Sequence, residues 1–386
     1  MQCPKIKVVE LINGIVDAGA ETIVKDFIVK LDKTMFETYL LCERECSKES
    51  ANVRAIIQNG NEILSPYPLV SNSILNKLYR KILMLFRSSR ENNVSKYIEE
   101  QIMRIQPDVI HVHMKMLHYL IPIIDKLNNT QIIYSCYSVP SRYFNETDCK
   151  EELLSGRILV QKGRIRFTAM HAEMKKEIDD IFNIKNTIIL KNGLDLNKYA
   201  PLRNKKEFRR ELDLPEDAFI IGHLGRFIYI KNHDFLVDVF YQTYIRNPNA
   251  YLLLIGEGSE REKIELKLHN YGLGNRYKIL SHIDNLSPTY NAMDIFVFPS
   301  LFEGIPNACI EAQACGLRCV ISSTITKDVF ISEKAIPADL TDSPQKWAEI
   351  ILDSSITGPY KSNISEFNID SVMRIIEKMY NKKCSI

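Results

Sequence analysis

Short apolar runs alternate with longer amphipathic stretches along the whole chain. This constrains the fold most, because strand–helix repetition is satisfied by a parallel sheet covered with helices. In the first half, residues 5–13 (KIKVVELIN), 107–113 (PDVIHVH), 131–135 (QIIYS), 167–170 and 187–190 read as strands, with helical spacing over 21–31 and 94–105. The second half restarts the pattern at residues 219–224 (FIIGHL), 251–255, 277–280, 295–298 and 319–321. The class is therefore α/β. A chain of 386 residues exceeds one ordinary core. Residues 192–217, with an Asn-Gly pair, Pro201, a charged cluster and Pro215, suit a linker, placing a boundary near residue 200. No repeat of solenoid length recurs.

Charge excludes several partners. Lys and Arg total 50 against 48 Asp and Glu, a net charge of +2, so no global field points to nucleic acid. Nine cysteines, odd in number and following no signal peptide, suggest reduced thiols and a cytoplasmic setting. The nearest approach to metal-ligand spacing, Cys42-x3-Cys46, lacks a second pair, so no metal site is expected. No apolar run reaches the roughly 18 residues that span a bilayer.

In open parallel sheets ligands bind beyond the carboxyl ends of the strands, so the segments following the apolar runs are the candidates. After FIIGHL comes Gly225-Arg226-Phe227-Ile228-Tyr229-Ile230-Lys231, where Gly225 allows a sharp turn and two cations on one loop could hold a diphosphate. Gly256-Glu257-Gly258 follows the next strand as a tight exit but is no dinucleotide fingerprint, since Arg261 stands where a third glycine belongs. After residues 295–298 a loop carries Glu303 and Gly304, and a helix of small residues runs from about Pro306 to Gly316. Its N-terminal amides beside Glu303 suit a phosphorylated sugar, and Glu311 on that helix could reach the same cleft. In the first half, alternation puts His111 and His113 on one strand face, with His113 at the exit, and Gly19 opens the first turn. A buried structural role suits His111 at least as well.

Five segments in order, PDVIHVH, ILKNGLDLNKYAP, GRFIYIKNHDFLVDVF, LLLIGEGSEREKIE and EGIPNACIEAQACG, resemble the retaining glycosyltransferases of family four, with the GT-B fold. The resemblance covers nearly the whole chain and is strongest over residues 187–325. It implies two Rossmann-like domains facing across a cleft: an acceptor domain at 1–195, a nucleotide-sugar domain at 196–366, and a C-terminal helix at 367–386 returning to the first domain. Arg226 and Lys231 match the family's diphosphate-binding pair. Glu303 matches the carboxylate near the donor sugar, and Glu311 the one holding the ribose hydroxyls. The resemblance also places Gly304, Ile305, Pro306, Asn307, Ala308 and Cys309 around sugar and phosphate, with Gly225 and Gly256 beside the donor. Gly19 falls near the diphosphate, His113 near the transferred sugar, and His282 and Ile283 near the base. Where the family often carries a histidine after QIIYS, this chain has Tyr137.

The expected activity is metal-independent transfer, with retention, from a nucleotide sugar, UDP-linked by preference, to a glycan or lipid-linked acceptor in cell-surface polysaccharide assembly. Residues 74–90 form a basic amphipathic stretch that could lie on an anionic membrane at the inner face of the plasma membrane. A sugar-nucleotide epimerase and a non-catalytic nucleotide- or glycan-binding protein are the competing readings.

Overall fold

The computed structural model describes residues 4–69, 87–146, 149–281, 283, 285–355, 358 and 364–381. Of the basic stretch 74–90, all but the last four positions lie outside these residues, and those four begin helix Arg87–Ile105. His282 also lies outside them. The chain divides into two compact units, Met1–Gly193 with Ile369–Ile386, and Leu194–Asn368.

The first unit holds a sheet of seven strands: β1 (Ile6–Ile12), β2 (Phe36–Cys42), β3 (Glu62–Leu64), β4 (Val109–His113), β5 (Gln131–Ser135), β6 (Ile165–Ala169) and β7 (Ile188–Ile189). All pairings are parallel, in the order β3-β2-β1-β4-β5-β6-β7. Val8, Val9, Leu11 and Ile12 of β1 are fully buried, as a central strand covered on both faces requires. Helix Ile369–Tyr380 buries Ile369, Val372, Met373, Ile376, Met379 and Tyr380, a stripe at helical spacing that packs with Val8, Phe27, Val109 and Ile133.

The second unit holds six parallel strands: β8 (Phe219–Leu224), β9 (Ala250–Ile255), β10 (Tyr277–Leu280), β11 (Ile295–Phe298), β12 (Arg318–Ser322) and β13 (Ala335–Ala338), ordered β10-β9-β8-β11-β12-β13. Three strands, β2, β3 and β13, are absent from the sequence reading. β3 has only three residues, and β13 (AIPA) contains Pro337, which is tolerated because this strand lies at the sheet edge. In each sheet the strand order reverses beside the first strand, between β1 and β4 and between β8 and β11. Such a reversal leaves a crevice at the carboxyl ends, where the connections diverge.

Candidate active site

At the β8/β11 reversal the two loops leaving the sheet are bonded to each other. The Leu301 amide donates to the Ile230 carbonyl at 2.9 Å, and Asn232 Nδ2 donates to the Pro299 carbonyl at 3.1 Å. Asn232 adopts φ 55°, a left-handed conformation asparagine tolerates, and so redirects the chain into helix His233–Arg246. This framework brings Lys231 Nζ within 2.6 Å of Glu303 Oε1, with both side chains partly exposed. The ammonium also stands 4.9 Å from the Phe298 ring centroid. Arg226 is exposed on the same loop. A cation and a carboxylate thus lie side by side at the carboxyl edge, where one can face phosphate and the other hydroxyls.

The glycines also have packing tasks that the sequence did not show. Gly225 does not adopt positive φ; a Cβ there would lie 3.3 Å from Lys231 Cδ, so it leaves room for the lysine stem. Gly256 (φ 141°) and Gly258 (φ 157°) press against the basic loop, and a Cβ on either would be driven into the carbonyl oxygens of Gly225 and Phe227. The Phe227 amide donates to the Glu257 carbonyl at 2.8 Å, completing that junction. The Gly-Glu-Gly turn therefore buttresses the loop carrying Arg226 and Lys231. Gly258→Ala is expected to destabilise the protein by about 2 kcal/mol through backbone strain. A urea midpoint equal to that of the wild type would contradict this role.

Helix Asn307–Ala314 follows the Glu303 loop and ends at Gly316, whose φ of 74° gives it a left-handed cap. Gly304, Ile305, Pro306, Ala308 and Cys309 are buried and Asn307 half-buried. Glu311 lies inside, 8% exposed, its Oε2 accepting from the Tyr290 hydroxyl at 2.8 Å. Burial raises its carboxyl, and the Tyr290 and Tyr199 hydrogen bonds oppose that rise. Tyr290 escapes the sequence reading because one tyrosine in a helix carries no spacing signal. Ile283 is half-buried after β10.

Gly19 and His113 belong to the first unit. Gly19 begins helix Gly19–Lys30, and no protein atom would meet a Cβ there. His113 is fully buried: Nε2 lies 2.6 Å from Glu10 Oε2 and Nδ1 2.8 Å from the Tyr137 hydroxyl. The exit position read as open to a cleft thus presents no solvent-exposed surface. His111 bonds the Tyr380 hydroxyl through Nδ1 (2.6 Å) and Ser135 Oγ through Nε2 (2.7 Å), and Tyr380 donates to Glu10 Oε1 at 2.7 Å. Glu10, His111 and His113 are the described group whose donor atoms converge as metal ligands would. Each is already engaged by a neighbouring side chain, so a metal here would have to displace those bonds. The overlooked signal for this network is Glu10, a carboxylate set between Val8, Val9, Leu11 and Ile12 of β1.

Burial keeps several imidazoles neutral. His111 and His113 are depressed to about 3, His233 to about 4, and His223 well below the usual value. The unfolded chain protonates these groups near pH 6.5. It therefore binds more protons than the native chain between about pH 4 and 6.5, and stability falls as pH drops through that window. The decline is opposed in part by Glu10 and Glu311, whose raised carboxyls favour the native state as they protonate. Urea midpoints should decline from pH 6.5 to 4.5; a flat profile would mean that the imidazoles are charged in the native state.

Two doubly wound parallel sheets, matched over nearly the full chain by glycosyltransferase structures, place the molecule in the GT-B class. HepE of Anabaena, solved in complex with UDP, superposes with a TM-score of 0.73 over 97% of this chain and 99% of its own, at 16% identity. Residues 204–351, within the second unit, match the family Glycosyl transferases group 1. EpsF of Bacillus subtilis is 33% identical over 181 residues, 46% of this chain and 47% of EpsF, so the chain spans about half that relative's length. A galactosyltransferase of Escherichia coli, named as acting from UDP-Gal on GlcNAc-diphosphoundecaprenol, is 25% identical over 305 residues, 76% of this chain and 73% of its own. Among the described residues no helix is long and apolar enough to cross a membrane.

Proposed function

We propose that the chain is a retaining glycosyltransferase that moves a sugar from a nucleotide diphosphate, UDP by preference, to a glycan or lipid-linked saccharide in cell-surface polysaccharide assembly. The observation that carries this reading is the Lys231–Glu303 pair, 2.6 Å apart across the β8/β11 reversal. Breaking a glycosyl–phosphate bond leaves negative charge on the diphosphate while the sugar becomes oxocarbenium-like, so fixed cations at the leaving group lower the barrier. Lys231 and Arg226 supply them without calling on a metal. Glu303 orients the sugar hydroxyls, Glu311 the ribose, and amides at the start of helix Asn307–Ala314 face the phosphate. Retention follows if the acceptor attacks on the face the diphosphate leaves, the departing phosphate taking the acceptor proton.

A panel of nucleotide sugars, read by thermal shift and by release of nucleoside diphosphate, tests donor and activity together, and the anomeric signal of the product tests retention. Release of nucleoside diphosphate with a glycosylated product supports transfer. Interconversion of sugar nucleotides without release would favour an epimerase, and binding without turnover a non-catalytic role. Contact of residues 74–90 with an anionic membrane belongs to the same reading, and no sedimentation with anionic vesicles at low salt would remove it.

A further inference from the structure

Cys42 ends β2 and Cys46 lies four positions later, and the proposed transfer chemistry uses neither. Their sulfurs are 3.6 Å apart, so the roughly 2.05 Å of a disulfide requires a closing movement of only ~1.5 Å. Both back onto the small core of Ile12, Ile15, Leu40 and Val53. Their neighbours Arg44, Lys48 and Glu49 are exposed, so local opening of this loop together with the last residue of β2 uncovers the pair. The Ile15 amide bonds the Cys46 sulfur, tying the pair to the loop that leaves β1.

The two thiols are unequal. Contact with Cys42, together with the Ile15 amide, lowers the Cys46 thiol despite burial, whereas the bond to Cys46 and burial raise Cys42 well above the usual range. Elsewhere burial pushes Cys136 up to about 12 and Cys315 to about 11, leaving them less reactive.

We propose that Cys42 and Cys46 form a redox modification site that takes low-molecular-weight disulfides such as oxidised glutathione and closes to an intramolecular disulfide. The Cys46 thiolate attacks one sulfur of the oxidant, forming a mixed disulfide and expelling one thiolate, which takes the proton Cys46 has shed. Cys42 then loses its proton and attacks the Cys46 sulfur, breaking the mixed disulfide and releasing the second thiol. Two protein thiols are oxidised and one small disulfide is reduced to two thiols. The closed bond draws Cys46 from the Ile15 amide and loosens the turn between β1 and Gly19.

The test treats the whole reduced chain with oxidised glutathione, alkylates the remaining thiols and digests with trypsin without reduction. Arg44 lies between the two cysteines, so the disulfide appears as two tryptic peptides joined together, and the intact chain is lighter by about 2 Da. Cys42→Ser should stop at a glutathione adduct on Cys46. Ile15 amide exchange in the oxidised wild type should be about tenfold faster than in the reduced form. Two freely alkylatable thiols in treated wild-type protein would overturn the assignment. Because the wild-type peptide map carries the first result, misfolding of a variant leaves the proposal open to refutation.

Discussion

Lys231→Ala should lower release of nucleoside diphosphate from the sugar nucleotide about 10³-fold while shifting the melting temperature by only a few degrees. On the proposed reading the loss is large because the ammonium would neutralise the departing phosphates as well as balance Glu303, 2.6 Å away. Without it, the carboxylate adds repulsion where negative charge develops. The fold survives because Glu303 keeps some exposure, so water can solvate the carboxylate left behind. Lys231→Arg retains the charge on a planar fork too broad for the space over Gly225, so it should recover only part of the rate. Steady-state release within about fivefold of the wild type in Lys231→Ala would remove this residue from the chemistry.

The largest effect on stability is expected at the other end of the chain. Tyr380 is 1% exposed, and its hydroxyl donates to Glu10 Oε1 and accepts from His111 Nδ1. Tyr380→Phe keeps the ring and removes both bonds, leaving a buried carboxylate oxygen and a buried imidazole nitrogen without partners. Each orphaned group costs about 1–3 kcal/mol, so the variant should lose about 3 kcal/mol in urea unfolding. Tyr380→Leu adds lost ring packing and should lose more. If Tyr380→Phe matched the wild type, the network would not hold helix Ile369–Tyr380 onto the sheet.

Most of the second sheet was legible because its strands are continuous apolar runs closed by turn residues; β8, β10 and β11 fall at the bounds read from the sequence. β2 and β3 left weaker traces. FETYLLC interrupts its apolar run with Glu37 and Thr38, and EIL is too short for any period to register. At the site, the loop residues were found by their place after buried strands, but their tasks were not. Gly256 and Gly258 read only as a tight exit from a strand, because nothing local says that the backbone of Gly225 and Phe227 lies against them.

The division follows from range. Periodicity and turn chemistry act over a few neighbouring residues, so the sequence alone determined the strand–helix alternation, the two halves, and the loops where cations and carboxylates stand. Partner choice depends on strand order. Lys231 meets Glu303 across 72 positions because β8 and β11 are neighbours, and Glu10 meets Tyr380 across 370 because the last helix packs on the first sheet. The tertiary structure likewise decided that His113 is enclosed and that Glu311 is held by Tyr290. Burial and hydrogen-bond partners depend on what the other elements bring into contact, and no local pattern encodes that.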